Sequence, residues 1–169
     1  MNQNPEIKEH SMSFRADMLK ALLEGRKTRT ARLITAKNST VNGYKVTEKS
    51  GLWQRLDWSR VRFDRGPHIL HPSKSGYLHV GLIGNPDIWY RVRPRIEIGD
   101  IILAKKHKFE VTDVFPEQLW DISEVDAIAE GIETCNNPIK AYANLIESIY
   151  PGAWVKNELV WVYRMRRVK

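Results

Sequence analysis

The 169-residue chain has a single cysteine, Cys135, so it can form no internal disulfide and supply no thiolate metal cluster. Long apolar runs are missing too. Asp100-Ile-Ile-Leu-Ala104 and Glu158-Leu-Val-Trp-Val162 fall far short of the ~18 residues of a bilayer-spanning helix, and no membrane partner is expected. Met1 to Ser13 lacks the basic start, apolar middle and small-residue cleavage site of a secretory signal. With so little cysteine, the expected location is the reducing cytoplasm. The chain has no glycine-rich phosphate loop of the P-loop or dinucleotide type, no internal repeat and no low-complexity tract. His68, His71 and His79 are scattered, with only Asp64 nearby at a ligand-like spacing, and read as surface residues rather than a metal site. Neither a metal nor any other cofactor is expected.

The chain is rich in positive charge. Its 27 Lys and Arg against 20 Asp and Glu leave a formal charge of +7, which favours a polyanionic partner such as a nucleic acid or nucleotide. With 42% hydrophobic residues, a chain of this length buries roughly 70% of its unfolded surface. One self-sufficient domain is expected over 13–169, preceded by a polar, flexible tail at 1–12.

Ser13 to Glu24 reads as a helix with Phe14, Met18 and Leu22 on one stripe and Gly25 as its stop. Arg26-Lys-Thr-Arg-Thr-Ala-Arg32 follows, four cations and two threonines just past a helix end. Residues 33–95 read as a long, elaborated connection, an insertion at about 35–95. Trp53, Trp58 and Trp89 are scattered there among Arg55, Arg60, Arg62 and Arg65, and strands are expected at Tyr77 to Ile83 and Ile88 to Val92 around a Gly84-Asn85-Pro86 turn. Further strands are expected at Ile101 to Ala104, His107 to Val114 and Leu159 to Met165, the last as a half-buried strand. Ser123 caps a short helix to Glu130 that Gly131 stops. Asn137-Pro138 opens another, with Ile139, Tyr142, Ile146 and Ile149 on its stripe, before Pro151-Gly152. This order predicts an α+β fold with a small mixed or barrel-like sheet.

Three segments in order resemble the ASCH family of the PUA-like superfamily. The first is Phe14-x-x-x-Met18-x-x-Ala21-Leu-Leu-x-Gly25-Arg-Lys-Thr-x-Thr30-x-Arg32. The second joins Gly99-Asp100-Ile-Ile-Leu, Val111-Thr-Asp-Val114 and Asp121-Ile-Ser-Glu-x-Asp126-Ala-x-Ala-Glu130-Gly-Ile132, and the third Tyr150-Pro-Gly152 with Val160-Trp-Val-Tyr163. The pattern is most similar to phage and prophage members, which carry a long insertion at the same place. The resemblance implies a PUA-like small mixed β-barrel with flanking helices, and a cleft between the Gly25 to Arg32 loop and Glu130. Compact members of the family are amidohydrolases on N4-acetylcytidine; their lysine, threonine and glutamate fall on Lys27, Thr30 and Glu130. Other members are linked to RNA binding or RNA cleavage, so fold alone leaves the chemistry open.

The residue types fit such chemistry under conditions. A threonine hydroxyl needs a base to become a nucleophile, and a lysine serves only when burial or neighbouring cations lower its pKa. Arg26, Arg29 and Arg32 supply cations, whereas a paired Glu130 favours charged Lys27 and opposes the shift. A spacing of three puts Lys27 and Thr30 on opposite faces of a regular strand, so the loop must bend for them to meet. In the hydrolytic reading Thr30 attacks an acyl carbon, Lys27 is the base, Glu130 orients it or shuttles a proton, and Arg32 steadies the developing negative charge. In the binding reading Arg26, Thr28, Arg29, Arg32 and Tyr163 contact RNA, single-stranded nucleic acid or a nucleoside without turnover. A phage interaction module that engages a host nucleic acid or host protein through the insertion, and a ribonuclease, remain as alternatives. Trp161 reads as core, and Lys105-Lys106-x-Lys108 with Arg164-x-Arg166-Arg-x-Lys169 as candidate extensions of a phosphate track.

Overall fold

The computed structural model describes residues 6–64 and 76–169; His68, His71 and Arg65 lie outside that set. The elements run β1 (Glu9–Ser11), α1 (Ala16–Leu23), β2 (Arg29–Leu33), β3 (Ser39–Val41), β4 (Tyr44–Lys45), α2 (Gly51–Gln54), β5 (Leu56–Asp64), β6 (Tyr77–Leu82), β7 (Asn85–Pro94), β8 (Ile101–Ala104), β9 (His107–Gln118), α3 (Glu124–Ala129), α4 (Pro138–Ile149) and β10 (Leu159–Arg167). The strands make two five-stranded sheets, ordered β1-β8-β9-β10-β2 and β4-β3-β7-β6-β5. The α+β class holds, but among the described residues the strands do not close into a single barrel. The first sheet is mixed because β1 pairs parallel with β8, Glu9 opposite Ile101. The expected polar tail therefore ends early, since residues 9–11 are already part of a sheet.

One core lies between the sheets. Ile102, Phe109, Val111, Trp161, Tyr163 and Met165 of the first sheet meet Val41, Leu56, Leu78, Val80 and Val92 of the second, with Leu19 and Leu22 of α1 closing one side. Fully burying one such aliphatic side chain stabilises by roughly 1.5–3 kcal/mol, and the described residues of 33–95 supply five of the fifteen buried side chains of this core, so they are part of it rather than an appendage on it. The Trp161 indole N–H donates to Ser39 Oγ at 2.9 Å and ties the sheets together. The second face of the first sheet packs on α3 and α4, where Val160 and Val162 meet Leu119, Ala127, Tyr142 and Ile146. β10 is thus buried on both faces, not half-buried, because it is an inner strand with a layer on each side.

Local signals place the helices well. Ser123 Oγ accepts from the Asp126 amide, Asn137 accepts from Lys140 ahead of Pro138, and Gly25 and Gly131 stop their helices with φ of +76° and +99°. Helix α1 starts later than Ser13 suggests, with Arg15 at its N-cap. No helix among the described residues is long and apolar enough to cross a membrane.

Candidate functional site

The chain folds back sharply after α1. The amides of Arg26 and Lys27 both donate to the Ala21 carbonyl, at 2.9 and 3.0 Å, and Thr28 is clamped by its backbone between Ala129 O (2.9 Å) and the Met165 amide (2.8 Å). This bend takes Lys27 out of the strand spacing, because it leaves the loop before β2 begins, and Lys27 and Thr30 line one cavity. Gly131 makes the approach of α3 feasible: a Cβ there would stand 3.2 Å from Met18 Sδ and 3.3 Å from both Ala21 Cβ and Lys27 Cβ. Lys27 and Glu130 are thereby brought into contact.

The result is a buried ionic cluster. Lys27 Nζ donates to the Glu130 carbonyl at 2.6 Å and to its Oε2 at 3.0 Å. Arg29 Nε donates to Glu130 Oε1 at 3.1 Å, and Arg29 Nη2 to Glu117. Glu130 Oε2 also faces the Ala31 amide at 3.4 Å, on the outer edge of β2. Lys27, Arg29, Glu117 and Glu130 are all at most 5% exposed, two cations against two carboxylates. Asp126 Oδ1 lies at the rim, 3.2 Å from Arg29 Nη1 and 3.6 Å from Arg164.

Burial sets the direction of the Lys27 shift that the sequence left open. It pushes the Lys27 amine below its ordinary value despite the opposing Glu130 carboxylate, with Arg32 and Arg29 adding to the depression. Burial also opposes ionisation of Glu130, but there Lys27 and Arg29 outweigh it and hold the carboxyl below its usual range. For Arg29 the carboxylates of Glu130 and Glu117 overcome burial and fix the positive charge.

In front of this cluster is a cavity of about 330 Å³. Its polar wall is Lys27, Thr30, Arg32 and Glu130; its apolar wall is Phe14 ahead of α1, Met18 of α1, and Tyr142, Leu145, Ile146 and Ile149 of α4. Arg32 lies 5.0 Å over the Phe14 ring and donates to Ser13 O at 2.6 Å, while its Nε is buried with no hydrogen-bond partner among the described residues. Burial, followed by the Glu130 charge, raises the Tyr142 hydroxyl well above its ordinary value, so it stays a neutral phenol. No hydrogen bond among the described residues joins Thr30 to Lys27.

The structure sorts the sequence candidates into layers. Lys27, Thr30, Arg32 and Glu130 face the cavity together. Arg29 stands behind them, sealed at 1% exposure; it holds Glu130 and Glu117 and is not placed to touch a ligand. Arg26 is exposed and engaged by Glu24 at 2.7 Å, and Thr28 is exposed outside the cavity. Tyr163, opposite Thr30 on β10, is 1% exposed in the core between the sheets, because inward positions of an inner strand have no route to a cleft. The expected phosphate track is broken by carboxylates, with Lys108 on Glu9 and Arg166 on Glu110. Among the described residues no group of His, Cys, Asp and Glu could hold a metal ion. Glu117 and Asp126 were missed as parts of the site; a glutamate inside the apolar strand Val114-Phe-Pro-Glu-Gln118 was the available signal, since buried carboxylates are almost always paired.

No family model, no curated protein and no solved structure matches this chain.

Proposed function

We propose that the chain is an ASCH-type, PUA-like protein whose cavity takes one nucleobase or nucleoside and hydrolyses an acyl amide on it, as at N4-acylated cytosine. The single observation that carries this reading is Lys27, buried, lowered in pKa and held on two oxygens of Glu130 beside a hydroxyl and a cavity. Support for the family comes from where the three resembling segments lie: α1 with its loop, β8 and β9 with α3, and β10 all surround this cavity or the sheet behind it. About 330 Å³ is at the small end of the ~300–1,000 Å³ of ligand pockets, which suits a single base rather than a strand.

The chemistry follows from the donor count. A neutral Lys27 amine has two hydrogens, which go to Glu130 O and Oε2, and one lone pair left for the cavity. With an acylated base in place, that lone pair takes the Thr30 proton as Thr30 Oγ bonds to the acyl carbon. Arg32, with its unpartnered Nε, meets the oxyanion. When the carbon–nitrogen bond breaks, the proton returns from Lys27 to the departing amine; a water then hydrolyses the acyl-threonine by the same relay. Phe14 and Tyr142 supply flat apolar walls for the base.

The test is hydrolysis of N4-acetylcytidine, with acetate and cytidine measured by chromatography. Wild type is expected to release both in equal amounts, and Lys27→Ala to lose about 10²–10⁴-fold in rate, the usual size of a general-base contribution. Thr30→Val should abolish any acyl-protein trapped by acid quench. An unchanged rate in folded Lys27→Ala removes this mechanism, and no turnover by wild type reduces the reading to binding, which calorimetry with cytidine then tests.

A further inference from the structure

The second sheet turns its outer face to solvent, across the sandwich from α3 and α4, and that face is built from arginine on aromatic rings. Leu78, Val80 and Val92 enter the core. The alternate positions pair outward across β5, β6 and β7: Arg62 with His79, and His79 with Arg91 and Gly81 with Trp89. The Arg60 and Arg62 guanidiniums stand 4.8 and 4.2 Å from the Trp89 ring centre. Those of Arg91 and Arg93 stand 4.5 and 5.2 Å from Tyr77. Arg60 is pinned further by the carbonyls of Leu82, Asn85 and Pro86 at 3.3, 3.3 and 2.7 Å. Asp57 reaches Arg60 only at 4.0 Å, and the ion pairs among the described side chains leave Arg62, Arg91 and Arg93 without a carboxylate. Arg91, Arg93, Trp89 and His79, with Asn42, Gly43 and Tyr90, line a groove of about 510 Å³ on this face.

We propose that this face is a second site, distinct from the Lys27 cavity, that binds a single-stranded polynucleotide. Four guanidiniums fixed on rings provide what such a strand offers partners for: charge for successive phosphates and flat planes on which unpaired bases stack. An acidic peptide matches the charge but has nothing for the planes. A lipid surface needs apolar tips that project, whereas Trp89 and Tyr77 lie beneath the arginines. Because their planes are already held by the rings, these side chains lose little freedom on binding.

The test is fluorescence anisotropy of a labelled 12-nucleotide RNA, and a DNA of the same sequence, with the full chain over a salt series. Four phosphate contacts give a log K against log salt slope of roughly −3 for single strands, and Arg62→Ala with Arg91→Ala should flatten it by about 1.4 and weaken binding at least about tenfold. Trp89→Ala should weaken it several-fold, because Arg60 and Arg62 lose the ring that holds their planes. Lys27→Ala should bind the oligonucleotide as wild type does, and the double arginine variant should hydrolyse N4-acetylcytidine as wild type does, so each proposal fails separately. The inference is overturned if neither oligonucleotide binds, if the double variant binds as wild type, if Lys27→Ala abolishes binding, or if polyglutamate or anionic vesicles bind through Arg62 and Arg91 more tightly than the oligonucleotide.

Discussion

Two groups of cations lie on opposite sides of the main core, and they are held by opposite means. Lys27 and Arg29 are sealed at 4% and 1% exposure and answered by Glu130 and Glu117. Arg60, Arg62, Arg91 and Arg93 lie on the outer face and are answered by aromatic rings. Burial penalises charge, so in the first group the protonation of Lys27 becomes adjustable and each carboxylate partner becomes indispensable. On an open face solvent screens charge, so the second group is sensitive to salt and contributes little to folding. One composition, a basic chain, therefore holds its cations by burial and carboxylates in one place and by aromatic rings in the other.

The largest difference between the groups should come from removing a buried partner. Glu130→Gln keeps the shape but leaves Lys27 and Arg29 facing an uncharged amide whose nitrogen is itself a donor. Breaking a buried pair in this way costs about 3–5 kcal/mol, whereas Arg62→Ala on the open face should cost under about 0.5 kcal/mol. Urea denaturation of the two variants checks this; equal midpoints would dissolve the distinction between the regions. The pH dependence has a definite sign. Because Glu130 is lowered in the folded chain, its contribution is complete above the ordinary carboxylate value and disappears as pH falls through the folded one, so Gln and wild type should converge in acid. Lys27 is also lowered, so the unfolded chain binds the extra proton, and stability should rise with pH from the folded Lys27 value towards its ordinary value.

A smaller effect is expected beside the same cluster at Gly131. Its φ is +99°, and an added Cβ would meet Met18 Sδ, Ala21 Cβ and Lys27 Cβ at 3.2–3.3 Å. Gly131→Ala should cost about 1–3 kcal/mol in backbone strain and also move Lys27 off Glu130. Acetylcytidine hydrolysis should then fall by more than the loss of folded protein explains. A variant with wild-type stability and rate would mean that α3 can shift without disturbing the lysine.

What could be read from the sequence follows how local each signal is. Caps at Ser123 and Asn137 and stops at Gly25 and Gly131 are decided within four residues, and all are as expected. Lys27 and Glu130 are 103 positions apart, so composition and periodicity could not join them; only the family resemblance did. Arg29 was legible as a cation but not as a buried one, because its surroundings depend on β10 arriving beside β2. Of the second sheet, β6 and β7 are legible as strands, whereas β3 and β4 have three and two residues, too short for alternation to register, and a bulge breaks the pairing of β5 between Asp57 and Val61. Deleting residues 40–90 would consequently remove Val41, Leu56, Leu78 and Val80 from the core rather than trim an ornament.

The smallest expected effect on folding is at Gly81, the counterpart of Gly131 on the open face. A Cβ there would come within 2.8 Å of Arg60 Cζ and 3.0 Å of its Nε. Unlike the neighbours of Gly131, that obstacle is the far end of a flexible side chain, and Gly81 has no positive φ, so alanine fits once the guanidinium swings off Trp89. Stability should change by less than about 1 kcal/mol, with reduced unfolded-state freedom acting in favour of alanine. Oligonucleotide binding should still weaken several-fold and its salt slope flatten by about 0.7, one phosphate contact. Urea midpoints and anisotropy on the same preparation separate the cases: a destabilisation above 2 kcal/mol, roughly what Gly131→Ala should give, would show that Arg60 is packed as tightly as Lys27 and that the open face is structural after all.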